Sequence, residues 1–392
     1  MRSYPSLPVK AFFDGFEWKS GGWLFKQVDK SGNFVIEFNK TAEKSNFLAI
    51  SSFINTHAHI SHLPRYSNQC GSDVLEGKPN IGGVSFTDNV FNSSSDCTIN
   101  GVNIVCSSIR PENVNDLLSI YNDLPIKVIP FISVKHYHDK NLIILELNKI
   151  IKFFDSYNVP IRPAIMIHSL YNITEDDLNF YCEYSLKNRI VISIHLFEWE
   201  GELLYYQKPY ADFNDNIYLR MKRNWQSINL GNCLIKIINN KLLMKILVHC
   251  SYTPKELLSI NSNNSTLITL CPSSCIRLNN PVLLPMDFNN IAIATDGYYT
   301  NMGYNLINEL KVYNVTSRVR NNYYEANSLL SSITGNPQKF IIYSGLITDR
   351  KLIHNFRNLN FFKKTSGYIP DDFIGSDFIN YNDSYQRFFY YE

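Results

Sequence analysis

The 392-residue sequence predicts an α/β protein: a (β/α)8 TIM-type barrel with a small flanking β domain. Three observations predict it. Eight short runs rich in Ile, Val and Phe recur between residues 47 and 297. Helix-like stretches with clear start signals lie between several of them. The interval 47–334 is close to the usual length of such a barrel, about 250 residues.

The eight runs are 47–55, 101–108, 126–134, 161–170, 189–197, 243–250, 265–272 and 290–297. Most are almost continuously apolar, as parallel strands buried on both faces are. Of the helix candidates, 111–122 opens on Pro111 with acidic residues after it, as a helix N-terminus prefers. Residues 140–157 carry apolar positions at helical spacing. Residues 174–187 start with a threonine cap and three carboxylates, and 253–260 offers Thr253 followed by Pro254. The first crossover, 61–100, is rich in Ser, Asn and Gly and reads as a long loop with little helix. Residues 1–46 alternate in short segments with Gly-Gly and Ser-Gly turns, which predicts a small antiparallel sheet. Residues 1–46 and 335–392 are assigned to the flanking domain, and 47–334 to the catalytic barrel.

Composition excludes several classes. Apolar residues make up 45% of the chain, charged residues only 18%, and the net charge is +2. No basic block interleaves with aromatics, so no nucleic-acid partner is expected. No apolar run reaches the roughly 18–20 residues of a membrane span. The N-terminal stretch lacks the apolar core and cleavage site of a signal peptide, so a cytoplasmic location is expected. The eight cysteines form no CxxC pair, Cys271 and Cys275 being closest in sequence, and read as buried thiols of a reducing compartment.

The chemistry gathers at strand ends, where a barrel builds its active site. The first strand ends in His57 and His59, the fourth in His168, the fifth in His195 followed by Glu198, the sixth in His249 and the eighth in Asp296. Residues two apart in a strand point to one face, so His57 and His59 can face one point. Taken singly, each has an ordinary reading: a chance alternation, a core histidine, an Asp-Gly turn. Recurring at successive strand ends, they point to a metal site. Imidazole and carboxylate ligands suit zinc, and also iron, nickel or manganese. His62, His136 and His138 read as loop residues, while Lys135 and the loop 61–72 are candidates for shaping a pocket.

With these residues in place, the sequence resembles the amidohydrolase superfamily in its deaminase and chlorohydrolase branch. Residues 54–60 (INTHAHI) resemble the strand-1 HxH motif, and 192–202 (ISIHLFEWEGE) the strand-5 motif in which a glutamate follows the ligand histidine. Residues 247–257 resemble the strand-6 motif, 269–278 the Cys-Pro-x-Ser-Asn segment, with Cys275 replacing its Asn, and 291–303 the strand-8 segment. Within the branch, the chain is most similar to the aminofutalosine deaminases.

The resemblance implies one divalent metal held by His57, His59, His195 and Asp296, because strand 4 offers His168 and no bridging lysine. It implies that Glu198, His249 and Asp296 are catalytic and that His168 and Asn301 bind substrate. The implied reaction is hydrolytic deamination of a small molecule, an adenosine-like nucleoside or a purine or pyrimidine derivative, and many relatives are homodimers. Two alternatives stay open. One is hydrolysis of another C–N or C–Cl bond, in a cyclic amide, imine or halotriazine. The other is a non-catalytic ligand-binding barrel.

Overall fold

The computed structural model describes residues 7–28, 34–39, 47–61, 85–135, 138–225, 230–258, 264–284, 289–298, 300–301, 303–349, 359–364 and 385–388. His62, most of the loop 61–72 and His136 lie outside the described residues. The strands are β1 Leu7–Phe13, β2 Trp18–Val28, β3 Phe34–Asn39, β4 Phe47–Ile50, β5 Phe53–Ala58, β6 Val102–Ile109 and β7 Lys127–Val134. They continue with β8 Ala164–Ile167, β9 Ile192–Leu196, β10 Lys245–His249, β11 Thr266–Leu270, β12 Ile291–Ile293, β13 Asn360–Lys364 and β14 Tyr385–Phe388.

Strands β5 to β12 form one eight-stranded sheet in chain order, parallel throughout. Each apolar run seen in the sequence supplies one of them. Their residues are buried along nearly the whole length, which explains the absence of alternation. The intervening helices bury one stripe. Lys140–Ser156 packs Ile143, Leu147, Ile150 and Phe154 inward, and the Asp139 carboxylate caps it by accepting from the Asn141 N–H at 2.9 Å. Thr174 caps Glu175–Asn188 in the same way, through the Asp177 N–H.

Three expectations need correction. The run 47–55 is two strands: β4 joins the flanking sheet, in the order β14-β13-β4-β1-β2-β3, and only β5 enters the barrel. The Gly-Gly pair is no turn. Gly22 lies inside β2 opposite Val9, and the chain reverses instead at Asp14, whose Oδ1 accepts from the N–H groups of Phe16 and Glu17. The first crossover does contain a full helix, Phe86–Ile99, capped by Ser85. Its buried face is made of Asn89, Val90, Ser93, Ser94 and Cys97, so the usual apolar stripe is missing. Ser94 and Thr98 satisfy their hydroxyls on carbonyls of their own helix, which lets polar side chains stay buried.

The barrel closes between β12 and β5 by a single bridge, Ala58 to Asp296, with the Asp296 N–H donating to the His57 carbonyl at 3.2 Å. Side chains reinforce this short seam. The Asn55 amide donates to Thr295 Oγ1 at 2.7 Å and its oxygen accepts from the Thr295 N–H, while the hydroxyls of Thr56 and Thr269 meet at 3.0 Å. β5 also carries a bulge. Asn55 faces Val105 and Ala58 faces Ser107, so β5 holds one extra residue between Asn55 and Ala58, the stretch that carries His57.

The described cysteines are buried thiols without disulfides. No helix among the described residues is long and apolar enough to cross a membrane.

The flanking sheet meets the barrel through two glycines. Gly15 has φ +118°, and a Cβ on Gly335 would strike the Gly15 carbonyl and the Phe16 ring. Thr334 Oγ1 donates to that same carbonyl at 3.1 Å. Gly335→Ala is therefore expected to cost roughly 1–3 kcal/mol through overpacking. A lowered Tm, with the metal content of the barrel unchanged, is the measurement that checks it.

Candidate metal centre

The strand ends bring together the residues that the sequence singled out. His57 and His59 leave β5, His195 lies in β9, His249 ends β10 and Asp296 follows β12. His57 Nε2 stands 3.2 Å from His195 Nε2 and 3.3 Å from Asp296 Oδ1, and His59 Nε2 is 3.3 Å from the same oxygen. Each Nε2 carries a lone pair in the Nδ1–H tautomer, and the aspartate oxygen does when ionised, so in that state the converging atoms suit a cation. Bonds of 2.0–2.1 Å in a tetrahedral site place ligand atoms about 3.3 Å apart. The observed separations therefore fit a small divalent ion. His57, His59 and His195 form one potential ligand group, and His57, His249 and Asp296 another.

Electrostatics support the donor set. Burial works to raise the Asp296 pKa, but the hydrogen bond from His57 and the charges of the surrounding histidines hold it well below the ordinary value. Its other oxygen, Oδ2, accepts from Ser274 Oγ and Thr300 Oγ1, each at 2.7 Å, which fixes the carboxylate with Oδ1 toward the imidazoles. Burial, together with the neighbouring imidazoles, pushes His195 well down and favours its neutral, ligating form. Burial pushes His249 down to about 4.

Glu198 bridges two of these histidines. Its Oε2 lies 3.8 Å from His195 Nδ1, and its Oε1 lies 3.6 Å from His249 Nε2. Burial first, then the charges of Asp296 and Glu202, raise the Glu198 carboxyl well above its ordinary value. The site thus holds two carboxylates with opposed tendencies. Asp296 is kept ionised, and Glu198 holds a proton more readily.

The backbone at these ends is unusual. Phe197, His249, Cys250 and Asp296 all have φ between 47° and 64°. The left-handed region costs an ordinary residue roughly 1–2 kcal/mol. Its recurrence at four places around one centre marks a site whose side chains are aimed by strained turns.

The remaining candidates divide. The His168 ring is 5.4 Å from the His195 ring and 6.3 Å from the His59 ring, at the edge of the cluster. Asn301 lies on the loop that follows Asp296, its N–H donating to the Gly297 carbonyl at 2.9 Å. Its amide donates to the Thr295 carbonyl and to Glu309 Oε1, at 2.8 and 2.7 Å, so those bonds secure the loop beyond Asp296. His138 accepts from the Lys135 N–H at 3.2 Å and closes its own turn. Cys275 is buried, with its sulfur 3.3 Å from Ser251 Oγ.

Sequence reasoning missed several supporting groups. Ser274 was visible as the serine of the Cys-Pro-x-Ser segment. Thr300, Glu202, Glu309 and Asp96 gave no signal, because none of them stands at a strand end or at a defining position of a recognised motif. Asp96 belongs to the helix Phe86–Ile99 and accepts from the Tyr304 N–H and the Tyr298 hydroxyl. Tyr304 in turn donates to the His59 carbonyl at 3.1 Å, so this helix reaches the HxH segment.

Fold and site together define a class: a (β/α)8 barrel whose strand ends carry a histidine and aspartate cluster that could hold a metal ion, with a small sheet at its side. No family model matches the sequence, and no curated protein matches it. Solved structures do match in fold. Helicobacter pylori aminofutalosine deaminase, in complex with methylthio-coformycin, superposes with a TM-score of 0.71 at 16% identity, over 96% of both chains. An adenosine deaminase from Xanthomonas campestris with bound zinc gives 0.70 at 12% identity, over 95% of this chain and 88% of that one. Atrazine chlorohydrolase from Arthrobacter aurescens TC1, complexed with zinc, gives 0.66 at 11%, over 91% and 86%. The chain shares the fold of these two deaminases and this chlorohydrolase over 91–96% of its length.

Glu309 gives the region a measurable pH dependence. Its Oε2 accepts from the Ser273 N–H and its Oε1 from Asn301, yet burial raises it to about 7. A carboxyl that binds its proton more tightly when folded adds stability below its unfolded pKa, about 4.5. That stability is lost as pH rises toward 7. The expected loss is on the order of 3 kcal/mol. Melting curves between pH 4.5 and 8 should show it, and Glu309→Gln should remove this part of the slope whatever the absolute stability of the variant.

Proposed function

We propose that the chain is a metal-dependent hydrolase that removes an amino group from an adenosine-like nucleoside or a related purine or pyrimidine. The observation that carries this reading is the set of 3.2–3.3 Å separations among His57, His59, His195 and Asp296, with Glu198 set between His195 and His249. Those four residues would hold one divalent ion, zinc by the donor set and by the zinc-bound structures of like fold. When bound, the ion supplies Lewis-acid activation of water at neutral pH.

The chain's own residues handle the protons. Hydrolytic deamination needs one proton taken from the attacking water and others delivered to the ring nitrogen and the departing amine. Asp296, held ionised, is the acceptor. Glu198 has the raised affinity of a group that carries a proton and releases it, and its carboxyl exchanges protons with the ring nitrogen and then the amine. His249, neutral at working pH, donates an N–H to the oxygen that develops charge at the attacked carbon. His168 and Asn301 complete the reading as substrate-binding residues, with His168 the better placed of the two.

The likeness to a chlorohydrolase supports a second reading, in which the same groups displace chloride from an electron-poor ring. A cytoplasmic location, a homodimer and the division into a barrel of 47–334 and a flanking domain of 1–46 and 335–392 belong to the proposal. Light scattering tests the dimer.

The decisive experiment is a screen of zinc-loaded protein for ammonia and chloride release, over nucleosides that include aminofutalosine, free bases and halotriazines. Ammonia release is expected. Stoichiometric metal without release of either product would leave a ligand-binding barrel. Glu198→Gln should retain one metal per chain and lose roughly 10²-fold or more in turnover. Chelation should abolish turnover and lower Tm, and returning zinc should restore both.

A further inference from the structure

We propose that Glu202 is the positioning residue of this centre: its carboxylate ties the ends of β8 and β9 together and thereby fixes where the Glu198 carboxylate stands. The inference rests on the role assigned to Glu198 above. Glu202 has 0% exposure, and both of its oxygens are spent on main chain. Oε1 accepts from the Leu170 N–H at 3.2 Å, two residues after His168, and Oε2 accepts from the Glu198 N–H itself at 3.0 Å.

The second of these bonds acts on a single peptide unit. The Glu198 N–H and the Phe197 carbonyl share one plane, and that carbonyl accepts from the Tyr252 N–H at 2.9 Å. The unit is thus clamped at both ends, by Glu202 on one side and the turn after β10 on the other. Phe197 itself sits at φ 47°, a conformation that relaxes unless held. A clamped peptide sets the Cα–Cβ direction of Glu198, and so its reach to His195 and His249.

Glu202 is itself immobile. The next residue toward the N-terminus, Gly201, has no room for a side chain, because a Cβ there would meet the Asp215 carboxylate and the Ile217 Cβ. Helix Glu200–Gln207 is therefore pressed against helix Asn216–Asn224. The Leu170 segment is pinned from the other side, its carbonyl accepting from Trp225 Nε1 at 2.9 Å. The Glu202 carboxyl presents one oxygen to each of the two converging N–H groups. Glutamine keeps one acceptor, and aspartate is a methylene too short to span both.

The test compares the zinc-loaded wild type with Glu202→Gln, Glu202→Asp and Glu202→Ala. Metal stoichiometry, crystal structures, and kcat and KM per metal-loaded site are measured on the substrate that the release screen yields. The expected result is full metal occupancy and KM within about threefold, with kcat lower by roughly tenfold in Glu202→Gln and Glu202→Asp and by about 10² in Glu202→Ala, as a misplaced reacting group costs. In the crystals the Glu198 carboxylate should leave its place beside His249. A role in stability alone would lower Tm while kcat per loaded site stayed at the wild-type value, and that outcome overturns the proposal. If Glu202→Ala does not fold, Glu202→Gln decides. If the wild type releases no product from any compound, the deaminase reading fails. The position of Glu198 in the variant crystals then judges Glu202 alone: a shifted carboxylate upholds it, an unshifted one ends it.

Discussion

The structure depends on closing the barrel between its first and last strands. Seven of the eight strand junctions have ordinary ladders, but β12 is three residues long and meets β5 through one backbone bridge. The Asn55–Thr295 pair and the Asp296–His57 bond take over the work of a ladder there. Parallel strands far apart in sequence have no local reason to pair, and this junction closes the longest loop of the barrel. The candidate metal ligands straddle it. His57 and His59 lie on one side and Asp296 on the other, so an ion held by them would couple to closure of the barrel. The centre is a by-product of closure, and closure is reinforced by the centre.

Among the described residues, charge at the centre is managed without lysine or arginine. Asp296 is stabilised by two hydroxyls and by imidazoles. Glu198, Glu202 and Glu309 are raised by burial, the latter two to about 8 and about 7. The result is a graded series of proton affinities within one strand-end layer. Such a spread is what acid–base work at neutral pH requires, because one carboxyl must give while another receives. A salt bridge would have fixed every group in its charged form and removed that gradient.

The sequence exposed the centre because each of its ligands follows an apolar strand, and strand ends in a barrel converge by topology alone. His57, His195, His249 and Asp296 needed no knowledge of contacts, only of the period of the fold. The supports were hidden for the opposite reason. Glu202 acts on Leu170 and Glu198, Glu309 on Ser273 and Asn301, and Asp96 on Tyr304, each through main-chain or loop partners that no local pattern encodes. The helix Phe86–Ile99 was illegible because its buried face is polar, and periodicity is read from hydrophobic residues. The split between β4 and β5 falls at Ser51 and Ser52, two small residues that interrupt an otherwise apolar run too briefly to read as a boundary.

These two kinds of residue divide the labour of the site. Ligands sit on strands that the core holds rigid, and the strained turns at Phe197, His249, Cys250 and Asp296 convert that rigidity into aim. Strain of this kind persists only where the surroundings over-determine the backbone. Here the over-determination is visible. The Phe197–Glu198 peptide is held at both ends, the Cys250 N–H donates to the Val248 carbonyl at 2.9 Å, and Asp296 is bonded through its N–H and both carboxylate oxygens. Structures that share this fold at 11–16% identity differ at most positions. A centre built from strand-end ligands can survive such divergence, since the core preserves it for reasons of packing. Its proton-handling geometry has no such protection. It depends on buried polar groups that packing alone would replace, and keeping Glu202 and Glu309 in the interior carries a cost in stability.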